Sequence, residues 1–122
     1  MKNLLILATM LFTFGLANAQ ITEIFNNLKD GKELLYTAVN EGCLTIKKNS
    51  MKQSYSDNCA KPIDFTVNNL SLIDNTIVIS LIMHYYGEVK LVGVLKIKDN
   101  ELVLSYGESS ESEQQVDKYK LK

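Results

Sequence analysis

Leu95-Lys96-Ile97-Lys98-Asp99-Asn100-Glu101-Leu102-Val103-Leu104 is the stretch on which the fold turns. Apolar and polar residues alternate on either side of Asp99-Asn100, and Asp and Asn tolerate the left-handed backbone of a tight hairpin. With these two as the turn, Lys98 faces Glu101, Ile97 faces Leu102, Leu95 faces Leu104 and Gly93 faces Tyr106. The apolar side chains fall on one face and the ion pair on the other. A slip of one residue would send every apolar side chain to the wrong face, so the segment reads as an antiparallel hairpin with one buried side.

The same test extends toward the N-terminus. Asn68-Asn69 as a turn sets Val67 opposite Leu70 and Phe65 opposite Leu72; Asp74-Asn75 sets Leu72 opposite Ile77 and Leu70 opposite Ile79. The strand from Thr76 to Tyr85 carries Ile77, Ile79, Leu81, Met83 and Tyr85 on one side. A loop at Tyr86-Gly87-Glu88 then brings Met83 to Leu91, Ile79 to Leu95 and Ile77 to Ile97. One face stays apolar across successive strands, the pattern of an antiparallel meander.

Leu44 to Lys48 and Met51 to Tyr55 form another hairpin around Asn49-Ser50, Lys61-Pro62 breaks the chain before a strand at Ile63, and Val116 to Leu121 is a last strand after the polar loop Gly107 to Gln115. Ile21, Ile24, Phe25 and Leu28 have helical spacing, which predicts a short helix at 21–29. Residues 32–41 have two readings. Asp30 and Glu33 match a capping box of a second helix ended by Gly42, while Leu34, Tyr36 and Ala38 alternate with Leu35, Thr37 and Val39 as in a strand. The expected fold is mainly β: seven or eight antiparallel strands, closed into a small barrel that removes the edges, with a short N-terminal helix. The alternative is α+β, a helix packed on an antiparallel sheet.

The first nineteen residues carry a different message. Lys2, the apolar run Leu4 to Leu16 and the small-x-small site Ala17-Asn18-Ala19 make a secretory signal peptide, cleaved before Gln20. The run is too short to span a bilayer, which takes about 20 apolar residues. Residues 20–122 are then a single domain, periplasmic or secreted. Without Lys2 it has 12 Lys against 14 carboxylates, and the chain has no Arg. Nucleic-acid binding, which needs a basic surface and favours Arg forks, is disfavoured. Cys43 and Cys59 are an even pair in an exported chain and predict one disulfide, closing a loop of about 16 residues worth about 3 kcal/mol.

Gly42-Cys43-Leu44-Thr45-Ile46, Ile63-Asp64-Phe65-Thr66-Val67 and the hairpin 95–104 resemble the strands of small secreted bacterial lipocalin-like (calycin-type) domains, over roughly residues 33–122. The resemblance implies a barrel. It lacks the family's Gly-x-Trp, as the chain has no Trp, so no family binding residue is carried over.

No sequence motif for catalysis stands out. His84 is the only histidine and has no partner readable from the sequence; Glu108, Glu111, Glu113 and Asp117 surround a Ser-rich loop without calcium-loop spacing. No metal site and no cofactor are expected, and the chain is expected not to be an enzyme. Tyrosines on strands, with an apolar body and a polar tip, suit a ligand cavity. The candidate ligand residues are Phe65, Ile79, Met83, Tyr85, Leu95 and Tyr106, for a small apolar ligand inside the barrel. The rival is a protein-interaction module, with residues 32–41 helical.

Overall fold

The computed structural model describes residues 19–108 and 114–121. The apolar run Leu4 to Leu16, and Glu111 and Glu113 of the polar loop, lie outside them. A helix, α1, covers residues 19–29. Eight strands follow: β1 (Leu34–Thr37), β2 (Cys43–Ile46), β3 (Ser50–Ser54), β4 (Ile63–Ile73), β5 (Thr76–His84), β6 (Glu88–Lys98), β7 (Glu101–Gly107) and β8 (Gln115–Lys120). They form one sheet in the order of the chain, with every neighbouring pair antiparallel. The sheet curls until its edges meet: Ala38 bridges Tyr119, and the Val39 amide donates to the Lys118 carbonyl at 3.0 Å. The result is a nearly closed barrel, narrow enough for side chains to fill.

The turn chemistry explains most of the register. Asp74, Asn75, Asp99 and Asn100 all have positive φ, as a two-residue hairpin turn of this kind requires. The pairs Leu72 with Ile77, Leu70 with Ile79, Leu95 with Leu104 and Gly93 with Tyr106 are those expected from the sequence.

Three registers differ from expectation. The β2–β3 hairpin turns at Lys48-Asn49 rather than Asn49-Ser50, so Ser50 opens β3 and Ile46 pairs with Met51. Asn68-Asn69 is no turn: β4 runs straight through it, with a bulge between Val67 and Asn69. The buried residues Phe65, Val67 and Leu70 change phase by one at this point. A bulge takes up the extra residue and keeps both halves of the strand facing inward. In the β5–β6 hairpin, Met83 pairs with Val89, Ile79 with Gly93 and Ile77 with Leu95, because the loop is Tyr85-Tyr86-Gly87 and begins one residue earlier than expected. The register moves by two, which preserves the faces and so leaves no trace in the alternation.

Residues 32–41 are not helical. Gly31, at φ +85, ends α1: its amide bonds to the Leu28 carbonyl and the Lys32 amide to the Asn27 carbonyl, a Schellman cap that needs the left-handed glycine. The chain then enters β1, where Leu34 pairs with Ile46 and Tyr36 with Leu44. The helical reading is therefore replaced by the barrel, and with it go the α+β fold and the interaction module built on that helix. Ile21, Ile24 and Leu28 of α1 are buried in the same apolar cluster as Leu44, Ile46, Ile77 and Leu102, so the helix closes one end of the barrel. Among the described residues no helix is long and apolar enough to cross a membrane.

The opposite end carries the disulfide. Cys43 opens β2 and Cys59 ends a short 3-10 turn (Asp57–Cys59); they are bonded with Cα atoms 5.6 Å apart. The bond ties the β1–β2 connection to the β3–β4 connection. Gly42 enters this junction at φ +116, and a Cβ there would collide with the Ser54 backbone carbonyl. Gly42→Ala combines left-handed strain with a backbone clash and should lower stability by about 2–4 kcal/mol. Urea denaturation checks this: an unchanged midpoint would mean that the junction yields freely.

Candidate functional site

The antiparallel order brings four connections to the disulfide end: β1–β2, β3–β4, β5–β6 and β7–β8. Four of the chain's six tyrosines, Tyr55, Tyr85, Tyr86 and Tyr106, stand at this end. Below them lies a polar cluster in the barrel interior. Its centre is Gln53, fully buried, which shares the inward face of β3 with Met51. The Gln53 Nε2 donates to Asp117 Oδ2 and to the Tyr119 hydroxyl, each at 2.7 Å, while Oε1 accepts from the Tyr106 hydroxyl at 2.8 Å. Tyr55 donates to the same Asp117 oxygen at 2.9 Å and lies 3.3 Å from the Tyr106 hydroxyl. No buried side-chain nitrogen or oxygen among the described residues lacks a partner. A fully satisfied network of this kind rigidifies the end of the barrel, whereas a half-satisfied one would be costly.

Burial raises the phenols of Tyr55, Tyr106 and Tyr119 above the ordinary tyrosine value, and the Asp117 carboxylate adds to each. At neutral pH the three are therefore protonated hydrogen-bonding groups. Asp117, expected beside a polar loop with other acids, instead points inward from β8 and collects donors. Among the described residues no group of acids, His or Cys is arranged to hold a metal.

Two clefts flank the cluster. One, of about 450 Å³, has Met83, Leu91, Tyr106 and Gln115 among its walls. The other, of about 380 Å³, opens along the β1–β8 seam between Val39, Tyr55 and Asp117. A larger cleft of about 780 Å³ lies beside α1, with walls of mixed character: Ile24, Tyr36 and Leu121 beside Glu23, Asn27 and Asn100. It is the gap left where a helix lies across the end of a barrel.

The expected ligand residues separate into three groups. Phe65, Ile79 and Leu95 are packed in the core, Phe65 edge-on to Tyr106 with ring centroids 5.4 Å apart. Met83 and Tyr106 meet at the 450 Å³ cleft. Tyr85 lies outside, half exposed, with its ring edge-on to Tyr86 at 4.5 Å. Tyr86 is 95% exposed and holds φ at +55, the one aromatic residue with positive φ among the described residues. Sequence reasoning passed over Gln53, Tyr86 and Tyr119. The signal for Gln53 was a polar residue on an otherwise apolar face; Tyr86 had none, because a loop position does not reveal its backbone angle.

His84 faces a hydroxyl and a carboxylate on the outer wall, not within either cleft. Its Nε2 is 2.7 Å from Thr66 Oγ1, and its Nδ1 is 3.9 Å from Glu88 Oε1. The order hydroxyl, imidazole, carboxylate is that of a nucleophilic triad. The last distance is beyond a hydrogen bond and the trio lies open to solvent, so it serves as a cross-strand contact.

Replacing Gln53 with Leu keeps the volume but strips partners from Tyr106, Tyr119 and Asp117, and should cost about 2–4 kcal/mol; a neutral result in urea denaturation would mean that water takes over the bonds. The raised Tyr119 phenol gives a pH dependence. The folded chain keeps this proton where the unfolded chain, with an ordinary value of about 10, has released it. Its contribution is complete below pH ~10 and declines as the pH climbs from there toward the folded value. Tyr119→Phe should therefore flatten the loss of thermal stability above pH ~10, and parallel curves for the two proteins would contradict the burial argument. These assignments rest on the geometry itself: the chain matches no protein-family model, no curated protein and no solved structure.

Proposed function

We propose that the protein is an exported, non-enzymatic binding domain that docks a protein partner on its disulfide end, with the Tyr85-Tyr86 tip as the anchor. One observation carries the reading. Tyr86 is bulky, almost fully exposed and left-handed in a loop where Asn or Gly would be relaxed. A left-handed non-glycine residue costs about 1 kcal/mol, and apart from its contact with Tyr85 the ring is left almost wholly in solvent. Tyrosine in such a place is what an interface anchor requires. Its edge-on contact with Tyr85 holds the pair ready, and the disulfide and the Gln53 network below stiffen the platform.

A second reading, a small apolar ligand, is favoured by the cleft between Met83, Leu91 and Tyr106. It places the ligand at the mouth, since Ile79 and Leu95 are fully buried in the packed core.

A photo-crosslinking amino acid in place of Tyr86 should yield a polypeptide adduct in the producing cell, while the same group in place of the outer-wall residue Lys96 should not. Equal adducts at both positions, or none at Tyr86, would refute the docking role. Native mass spectrometry of gently purified protein separates the second reading: a small-molecule adduct lost on Leu91→Trp would favour the cleft.

A further inference from the structure

Resting on that reading, we infer the chemistry of the partner: a basic protein surface, with an apolar recess for the tyrosine pair ringed by Lys or Arg side chains. The charge on the barrel is divided unevenly between its ends. The four connections at the disulfide end, with the two strand residues on each side of them, carry Glu41, Asp57, Asp64, Glu88 and Glu108 against Lys61 among the described residues. The helix-sealed end, delimited in the same way, carries five lysines, among them Lys47, Lys48 and Lys98, against five carboxylates. The acidity is thus a property of the tyrosine end and not of the composition, whose net charge is −1.

These carboxylates are poorly neutralised within the chain. Glu88, two residues beyond Tyr86, has His84 3.9 Å away and is largely exposed; Asp64 has Lys52 at 4.0 Å, with both side chains more than half exposed. Across the mouth, Glu41 and Asp57 crowd each other, and the hydrogen bond between them, followed by their repulsion, raises the Glu41 carboxyl. A cationic surface would relieve that repulsion. It would also be drawn to the ring faces of Tyr85 and Tyr86, which attract ammonium and guanidinium groups. The same field repels nucleic acid, anionic lipid and the corresponding end of a second copy of this chain, and it speeds and orients encounter with a basic partner.

The test is an NMR titration of the ¹⁵N-labelled protein with three short peptides of matched Leu and Gly content, bearing Lys, Ser or Glu at the remaining positions. The Lys peptide should shift the amides of residues 84–88 and of Glu41. It should bind at least about tenfold more tightly than the Ser and Glu peptides and weaken as salt is raised. Tyr86→Asn should weaken it by about tenfold while the melting temperature stays level or rises by about 4 °C, an outcome that separates lost docking from lost folding. Equal affinity of the Lys and Ser peptides at the tip overturns the charge inference and leaves docking intact. A Lys peptide that ignores residues 84–88, or binds Tyr86→Asn as tightly as the parent, overturns both.

Discussion

The seam between β1 and β8 is the constraint on which the remaining structure depends. A meander with one apolar face must hide that face, and in this chain it does so by curling until its first and last strands touch. The contact is slight: a single bridge, Ala38 to Tyr119, made through the hydrogen bond from the Val39 amide to the Lys118 carbonyl. What holds it is the interior. Tyr119, beside the seam, is fixed from within by Gln53, and α1 lays Ile21, Ile24 and Leu28 over the end of the barrel where β1 begins. The disulfide then fastens the connection that leaves β1 to the one that leaves β3.

The two ends of the barrel are finished by different chemistry. At one end apolar side chains from a helix complete the core. At the other a glutamine, three tyrosines and an aspartate complete it with hydrogen bonds. An apolar cap excludes water and gives little directional order, whereas a bonded polar cap fixes its members in one arrangement. The end built from directional bonds is the one that carries the Tyr85-Tyr86 pair of the proposed docking surface. That difference supports placing the binding surface at the tyrosine end.

Much of this was legible from the sequence where the physics is local. The Asp-Asn turns need left-handed residues and have them, and the alternation around 99–100 permits one register. The helix at its start and the cysteine pair followed from spacing and parity. The failures have equally definite causes. Asn68-Asn69 has turn chemistry, but the change of apolar phase at that point suits a bulge equally well. The β5–β6 loop moved the register by two, a step to which alternation is blind. Residues 32–41 satisfied two local patterns, and only pairing with β2 decided between them. At the site, Met83 and Tyr106 were reached through their faces. Gln53, Tyr119 and Asp117 come from strands far apart in the chain, so no local pattern could join them.

The order of the sheet has a kinetic consequence. Each hairpin closes a loop of eight residues or fewer, so the strands can zip together one after another from any starting turn. The seam is different: joining residues 38 and 119 encloses almost the whole domain in one loop. Closure entropy grows with the logarithm of loop length, and a pairing this distant forms late. With so few bonds across it, the seam is also where the barrel parts first when it opens locally. The Gln53 network spans that same line, so the polar cap acts as the latch of the barrel.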